Sequence, residues 1–142
     1  MQVRDLMNSS VVSIAPGESA ALAARLISRH DIGSLPVCSE DGRLRGIVTD
    51  RDIVLRCVAA EEDATQTPVR EIMSRRCITV SPGDDAREAT RLMAAEQVRR
   101  LPVVEGDRVV GMVSLGDLAR THKFDMEASK ALSEISENVK KL

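Results

Sequence analysis

Aromatic side chains are almost missing from this sequence. Phe124 is the only one among 142 residues, and there is no tryptophan or tyrosine. Proteins that hold single-stranded nucleic acid stack its bases on aromatic rings, so that class is disfavoured. A base bound here has to lie between aliphatic side chains. An excess of one charge is also lacking: 20 Lys and Arg face 22 Asp and Glu, a formal net charge of -2. Wrapping a nucleic acid needs a basic surplus, so none is expected as a partner. No apolar run approaches the roughly 20 residues of a bilayer span, so no membrane is expected either. The opening MQVRDLMNSS has no apolar h-region of a signal peptide. Cysteines are few, and Cys38, Cys57 and Cys77 form neither a CxxC pair nor a zinc-like spacing. They are expected to be reduced thiols in a cytoplasmic protein, most simply small core hydrophobes. His30 and His122 are far apart and suggest no metal site. There is no GxSxG, P-loop or HExxH, and no nucleophile–base constellation, so catalytic residues are not expected.

What is present is an ordinary globular balance, 43% apolar and 30% charged. The length suits one compact domain or two tightly packed sub-domains, with no need of a disulfide or metal staple. Within it the chain repeats itself. Val3-Arg4-Asp5-Leu6-Met7 returns 66 positions later as Val69-Arg70-Glu71-Ile72-Met73. At the same shift Pro16-Gly17 meets Pro82-Gly83, and Leu35-Pro36-Val37 meets Leu101-Pro102-Val103. The second copy then drops one residue in a turn, and Gly46 and Asp52 meet Gly111 and Asp117 at a shift of 65. Turns accept such length changes most readily.

Each copy predicts the order β-α-β-β-α. A short strand (11–14 or 77–80) leads through Pro-Gly to a helix opened by acidic residues, Glu18 or Asp84-Asp85. Leu22, Leu26 and Ile27, then Ala89, Leu92 and Met93, keep helical spacing. Two strands follow, at 34–38 and 44–49 or 100–104 and 108–114, joined by a Gly-containing turn. A second helix closes each copy, at 51–60 or 116–121. The boundaries expected are a first repeat at 1–60, the polar linker AEEDATQTP centred on 61–68, a second repeat at 69–124, and a C-terminal amphipathic helix at 125–142. The fold class expected is α/β (α+β), two repeats packed sheet to sheet with pseudo-two-fold symmetry. Any pocket should then occur in two related copies. In the tail, Ala128, Leu132, Ile135, Val139 and Leu142 form a narrow heptad-like stripe, which serves either the chain's own core or a subunit contact.

This pattern resembles a tandem of CBS domains, a Bateman module. The resemblance rests on the Met before the first strand, Pro-Gly before a helix, and Leu101-Pro102-Val103-Val104 followed by Gly111-Met112-Val113-Ser114 and Asp117, matched in register in the first copy. It covers residues 3–121 and is similar to the stand-alone bacterial CBS pairs. It implies an adenosine-type ligand (AMP, ADP, ATP or a related adenosyl compound) in the cleft between repeats, and a homodimer formed through helices. No cofactor is required by this reading.

The most informative motif is Ser/Thr-x-x-Asp at a strand end: Thr49 with Asp52, and Ser114 with Asp117. A carboxylate accepts hydrogen bonds from both hydroxyls of a ribose, and charge-assisted bonds are the stronger kind. The family places its ribose contact at this Asp. The same residues are also good helix caps, so both roles stand open. For phosphate, the resemblance points to the pair before Leu-Pro, which is Arg99-Arg100 in the second copy and the uncharged Gly33-Ser34 in the first. Arginine forks suit phosphate, and Arg51 is the first copy's own candidate. The base walls implied are Ile14, Ala15, Leu35 and Pro36, and Val80, Leu101 and Pro102, all equally good core positions. The function expected is a non-catalytic sensor with two unequal clefts. The alternative is a dimeric protein-interaction module with empty or degenerate clefts and an unidentified protein partner.

Overall fold

A computed structural model describes residues 1–119 and 125–140, with the side chains of the last helix described over 130–137. Helix α1 (Ala20–His30) starts where Ser19 Oγ accepts the Leu22 amide at 3.1 Å. Helix α3 (Ala86–Glu96) starts where Asp85 accepts the Arg87 amide at 2.9 Å. A cap of this kind contributes about 1 kcal/mol. Glu18 and Asp84, expected to open the helices, stand one residue before the caps. Asp84 instead accepts the Ser81 amide at 2.9 Å and closes the Pro-Gly turn. Both helices end on a left-handed residue at matching places in the repeats, Asp31 (φ 51) and Gln97 (φ 58). The next amides, of Ile32 and Val98, bond back to Ile27 and Met93.

Strands β1 (Ser34–Cys38) and β2 (Leu44–Thr49) pair antiparallel, with Ser34 opposite Thr49 and a bulge between Val37 and Cys38. Strands β3 (Arg100–Glu105) and β4 (Arg108–Ser114) form a second two-stranded sheet. The loop that loses a residue becomes a two-residue turn in which Gly106 (φ 58) and Asp107 (φ 67) are both left-handed, the tight hairpin geometry. The leading strands expected at 11–14 and 77–80 shrink to one parallel pairing each, Ile14 with Val37 and Val80 with Val103. Two residues further on stand Pro16 and Pro82, which have no N–H to continue the ladder. The helix expected at 51–60 is a short α2 (Asp50–Ile53) that widens into a π turn at Val54–Val58. Its partner α4 covers Leu115–Ala119. Residues 120 and 121, expected in that helix, as well as His122 and Phe124, lie outside the described residues.

The chain forms two compact units whose residues are not those of the sequence repeats. The β1–β2 unit comprises Val12–Cys77 with Asp107–Val109. The β3–β4 unit comprises Met1–Val11, Ile78–Gly106 and Val110–Leu142. The leading segment of each repeat therefore folds with the body of the other. Val3 is fully buried in the core of Val80, Ala86, Met93, Leu101 and Val113, and its amide bonds Asp84 O at 2.8 Å. Val69 is buried with Ile14, Ala20, Leu35, Val37 and Val48, and its amide bonds Glu18 O at 2.8 Å. Each segment then runs antiparallel beside a sheet, Ser74 pairing with Ile47 and Asn8 with Met112. The stretch expected as a linker is tied into the β1–β2 unit. Thr67 is buried and its carbonyl accepts the Ala20 amide at 2.8 Å.

The last helix, α5 (Asp125–Lys140), packs against α3 and α4 within the β3–β4 unit. Ala131 and Ile135 are buried. Leu132, expected on the apolar stripe, is 44% exposed, so the contact face is turned toward Ala131. The side chains of Ala128 and Val139 and all of Leu142 lie outside the described residues.

Candidate functional site

In the β1–β2 unit, β2 ends at Thr49 in extended backbone (φ -114, ψ 164) and α2 begins at once. Four helical amides need partners there. Thr49 Oγ1 accepts the Asp52 amide at 3.0 Å, and Asp52 Oδ2 accepts the Thr49 amide at 3.0 Å. The pair is a reciprocal capping box. The Asp50 amide donates to Gly33 O at 3.0 Å, which brings the segment before β1 beside the box. Ser34 stands opposite Thr49 across the hairpin. Arg51 is exposed, and its amide bonds Asp50 Oδ1 at 2.8 Å.

The β3–β4 unit repeats this arrangement. Asp117 Oδ2 accepts the Ser114 amide at 2.9 Å, and Ser114 Oγ accepts the Asp117 amide at 3.0 Å. The Leu115 amide donates to Arg99 O at 2.8 Å. Arg99 and Arg100 therefore flank Ser114 where Gly33 and Ser34 flank Thr49. Arg99 is exposed and Arg100 half-buried. The residue matching Asp50 is Leu115, which is buried. One box thus has two neighbouring carboxylates, and the other has one carboxylate beside two arginines.

Capping accounts for one acceptor position on each Asp. A carboxylate offers about four, so the cap by itself fills neither group. The expected base walls divide sharply by burial. Leu35, Pro36, Leu101 and Pro102 are buried within their own units, as are Ile14 and Val80. Ala15 is exposed. Pro36 and Pro102 also use their carbonyls to accept the Ile14 and Val80 amides, both at 3.1 Å.

Arg56 escaped the sequence reading. Its Nε lies 3.9 Å from Asp52 Oδ1, and its Nη1 donates to Ile72 O at 3.1 Å and Met73 O at 3.3 Å. The available sign was its place four residues after an Asp on a helix. Burial pushes the Cys38 and Cys77 thiols up, so neither is a ready thiolate nucleophile at neutral pH.

The CBS domain model matches residues 3–58 and 69–122. The chain belongs to the CBS domain family. It is a CBS pair, a regulatory module. The CBS domain-containing protein YhcV of Bacillus subtilis is 42% identical over 134 residues, 94% of each chain. Hypoxic response protein 1 of Mycobacterium tuberculosis is 38% identical over 117 residues, 82% of each chain. The crystal structure of that protein, with two coordinated zinc ions, superposes with a TM-score of 0.78 over 84% of this chain and 98% of that one. The CBS domain pair of MJ0100, in complex with 5'-methylthioadenosine and S-adenosyl-L-methionine, is 29% identical with a TM-score of 0.75, over 84% of this chain and 94% of that one. Among the described residues, no three His, Cys, Asp or Glu side chains gather as a metal-ligand group. No described helix is long and apolar enough to cross a membrane.

Proposed function

We propose that this CBS pair is a non-catalytic sensor of adenosine-type ligands, with one site on Thr49–Asp52 and one on Ser114–Asp117. The observation that carries this reading is the twice-built box. In both units a strand end presents a hydroxyl and a carboxylate three residues apart, in a family with a relative solved in complex with two adenosyl compounds. The ribose diol donates to the Asp carboxylate. Exposed Ala15 is the wall open to the base at one site, while Ile14, Leu35 and Pro36, like Val80, Leu101 and Pro102 at the other, are buried in their own units and support the site from behind.

The two sites differ in charge. Arg99 and Arg100 favour a phosphate-bearing ligand such as AMP, ADP or ATP at the β3–β4 unit. At the β1–β2 unit Arg51 is the cation offered, Arg56 is engaged with Asp52 and two carbonyls, and Asp50 stands close to Gly33, so an uncharged adenosyl group is favoured. Three free thiols fit a cytoplasmic setting.

A thermal-shift series with AMP, ATP, 5'-methylthioadenosine and S-adenosylmethionine tests the reading. A ligand at 100 times its Kd adds about 2.7 kcal/mol to stability. Calorimetry is expected to resolve two unequal sites, with AMP tighter than 5'-methylthioadenosine at only one of them. No stabilisation by any adenosyl compound overturns the sensor. It favours the second reading, an interaction module with degenerate clefts, which the uncharged Gly33-Ser34 pair supports.

The module is proposed to act as a homodimer. Val54, Leu55 and Val58 leave 54%, 50% and 64% of their surface exposed on one turn, and such a cluster suits a partner surface. Val58→Glu is expected to lower the mass in light scattering from dimer to monomer. A dimer that persists at micromolar concentration overturns this surface as the contact.

A further inference from the structure

Arg56 joins two parts of the β1–β2 unit that are far apart in sequence. On one side it faces the Asp52 carboxylate, with Nε 3.9 Å from Oδ1. On the other, one nitrogen donates to the carbonyls of Ile72 and Met73 at 3.1 and 3.3 Å. Those carbonyls end the Val69–Glu71 turn, and the next residue, Ser74, makes the paired bonds with Ile47 of β2, both 2.9 Å. The contact to Asp52 is at the outer limit of an ion pair, and Arg56 is about half exposed. The bridge is therefore built but loosely closed on the Asp52 side.

We propose that Arg56 couples ligand binding at Asp52 to the segment 69–74. The inference rests on the ligand reading given above. A ribose diol bonded to Asp52 adds to the hold that the cap already places on the carboxylate. Arg56 then closes on an ordered anion and loses less freedom in holding it. Its carbonyl bonds tighten with it, and the Ser74–Ile47 pairing opens less often. Occupancy of one site is thereby read out in the strand-like segment beside β2, as a coupling between two places in one unit.

Hydrogen exchange on the full chain tests this, with 5'-methylthioadenosine as the probe. It carries the diol but no phosphate, so Arg56 cannot act by contacting phosphate directly. Calorimetry on the same samples records occupancy. In wild type, saturation is expected to slow exchange of the Met73 and Ser74 amides about fivefold or more, the lower range of ordinary coupling. In Arg56→Met the probe still binds, but the ligand-induced slowing falls below about twofold. Arg56→Lys, which keeps a charge but not the fork, is expected to fall between the two. A merely structural role speeds exchange equally with and without the probe and leaves the ligand-induced factor at its wild-type value, which overturns the coupling. A wild-type protein that shows no binding heat overturns the ligand reading itself, a result distinct from binding without protection.

Discussion

Gly46→Ala is expected to destabilise the protein by about 3 kcal/mol, at the upper end of what a forced methyl group costs in a packed interior. A Cβ at Gly46 would lie 2.7 Å from Met73 Sδ and 2.8 Å from Ser74 O. The sulfur belongs to a flexible side chain, but the oxygen is backbone. Ser74 O also accepts the Ile47 amide at 2.9 Å, so the segment cannot retreat without breaking that pairing. Gly111→Ala meets Met7 Sδ at 2.6 Å and Asn8 O at 3.1 Å, with slightly more room at the backbone, so a smaller loss is expected. Ordinarily alanine in a strand gains about 0.5–1 kcal/mol over glycine through chain entropy. The clash has to outweigh that gain, so the sign of the effect is itself informative. Gly17→Ala is the control. Its nearest neighbour is the end of the exposed Arg70 side chain at 3.5 Å, and a change within about 0.5 kcal/mol is expected. Urea unfolding measures all three. Gly46→Ala within about 0.5 kcal/mol of wild type would show that the segment does not press on β2.

These glycines mark what the sequence could and could not disclose. The repeat put Gly46 and Gly111 in register, and it put Met7 and Met73 in register. Nothing in either pattern says that Met73 crosses Gly46 and Met7 crosses Gly111. Local periodicity identifies elements but not which repeat a leading segment will join. That choice is made by burial of Val3 and Val69 in cores assembled from residues far along the chain. Helices α1 and α3 were legible because caps and apolar spacing are local. The short pairings at Ile14 and Val80 were overestimated as strands because aliphatic runs suggest length, while pairing depends on the neighbouring strand, which takes up one residue of each run. At the site, Thr49–Asp52 and Ser114–Asp117 were legible as pairs because three residues across a strand–helix junction set their geometry. Arg56 was not, because two of its partners are the carbonyls of Ile72 and Met73, and a carbonyl has no sequence signature.

The double variant Asp52→Asn with Asp117→Asn is expected to remove about half or more of the ligand stabilisation while leaving the fold close to its wild-type stability. Asparagine keeps a carbonyl oxygen in place of the Oδ2 that accepts the Thr49 and Ser114 amides at 3.0 and 2.9 Å, so each capping box survives in kind. What it removes is charge. Hydrogen bonds to a carboxylate are roughly twice as strong as neutral ones. Losing that advantage for two ribose hydroxyls costs about 1–3 kcal/mol per site, or roughly 10- to 100-fold in Kd. Ligand at 100 times the wild-type Kd then stabilises by about 0.4–1.4 kcal/mol per site instead of about 2.7. The alanine pair separates the two roles of these residues. It deletes the cap acceptor as well, and a further stability loss of about 0.5–2 kcal/mol per box is expected without ligand. Capping alone therefore predicts damage from alanine, little from asparagine, and a ligand shift unchanged by either. Ligand binding through the carboxylate predicts that asparagine lowers the shift before it lowers stability. A full ligand shift retained by the asparagine pair would leave Asp52 and Asp117 as helix caps and move the ribose contact elsewhere.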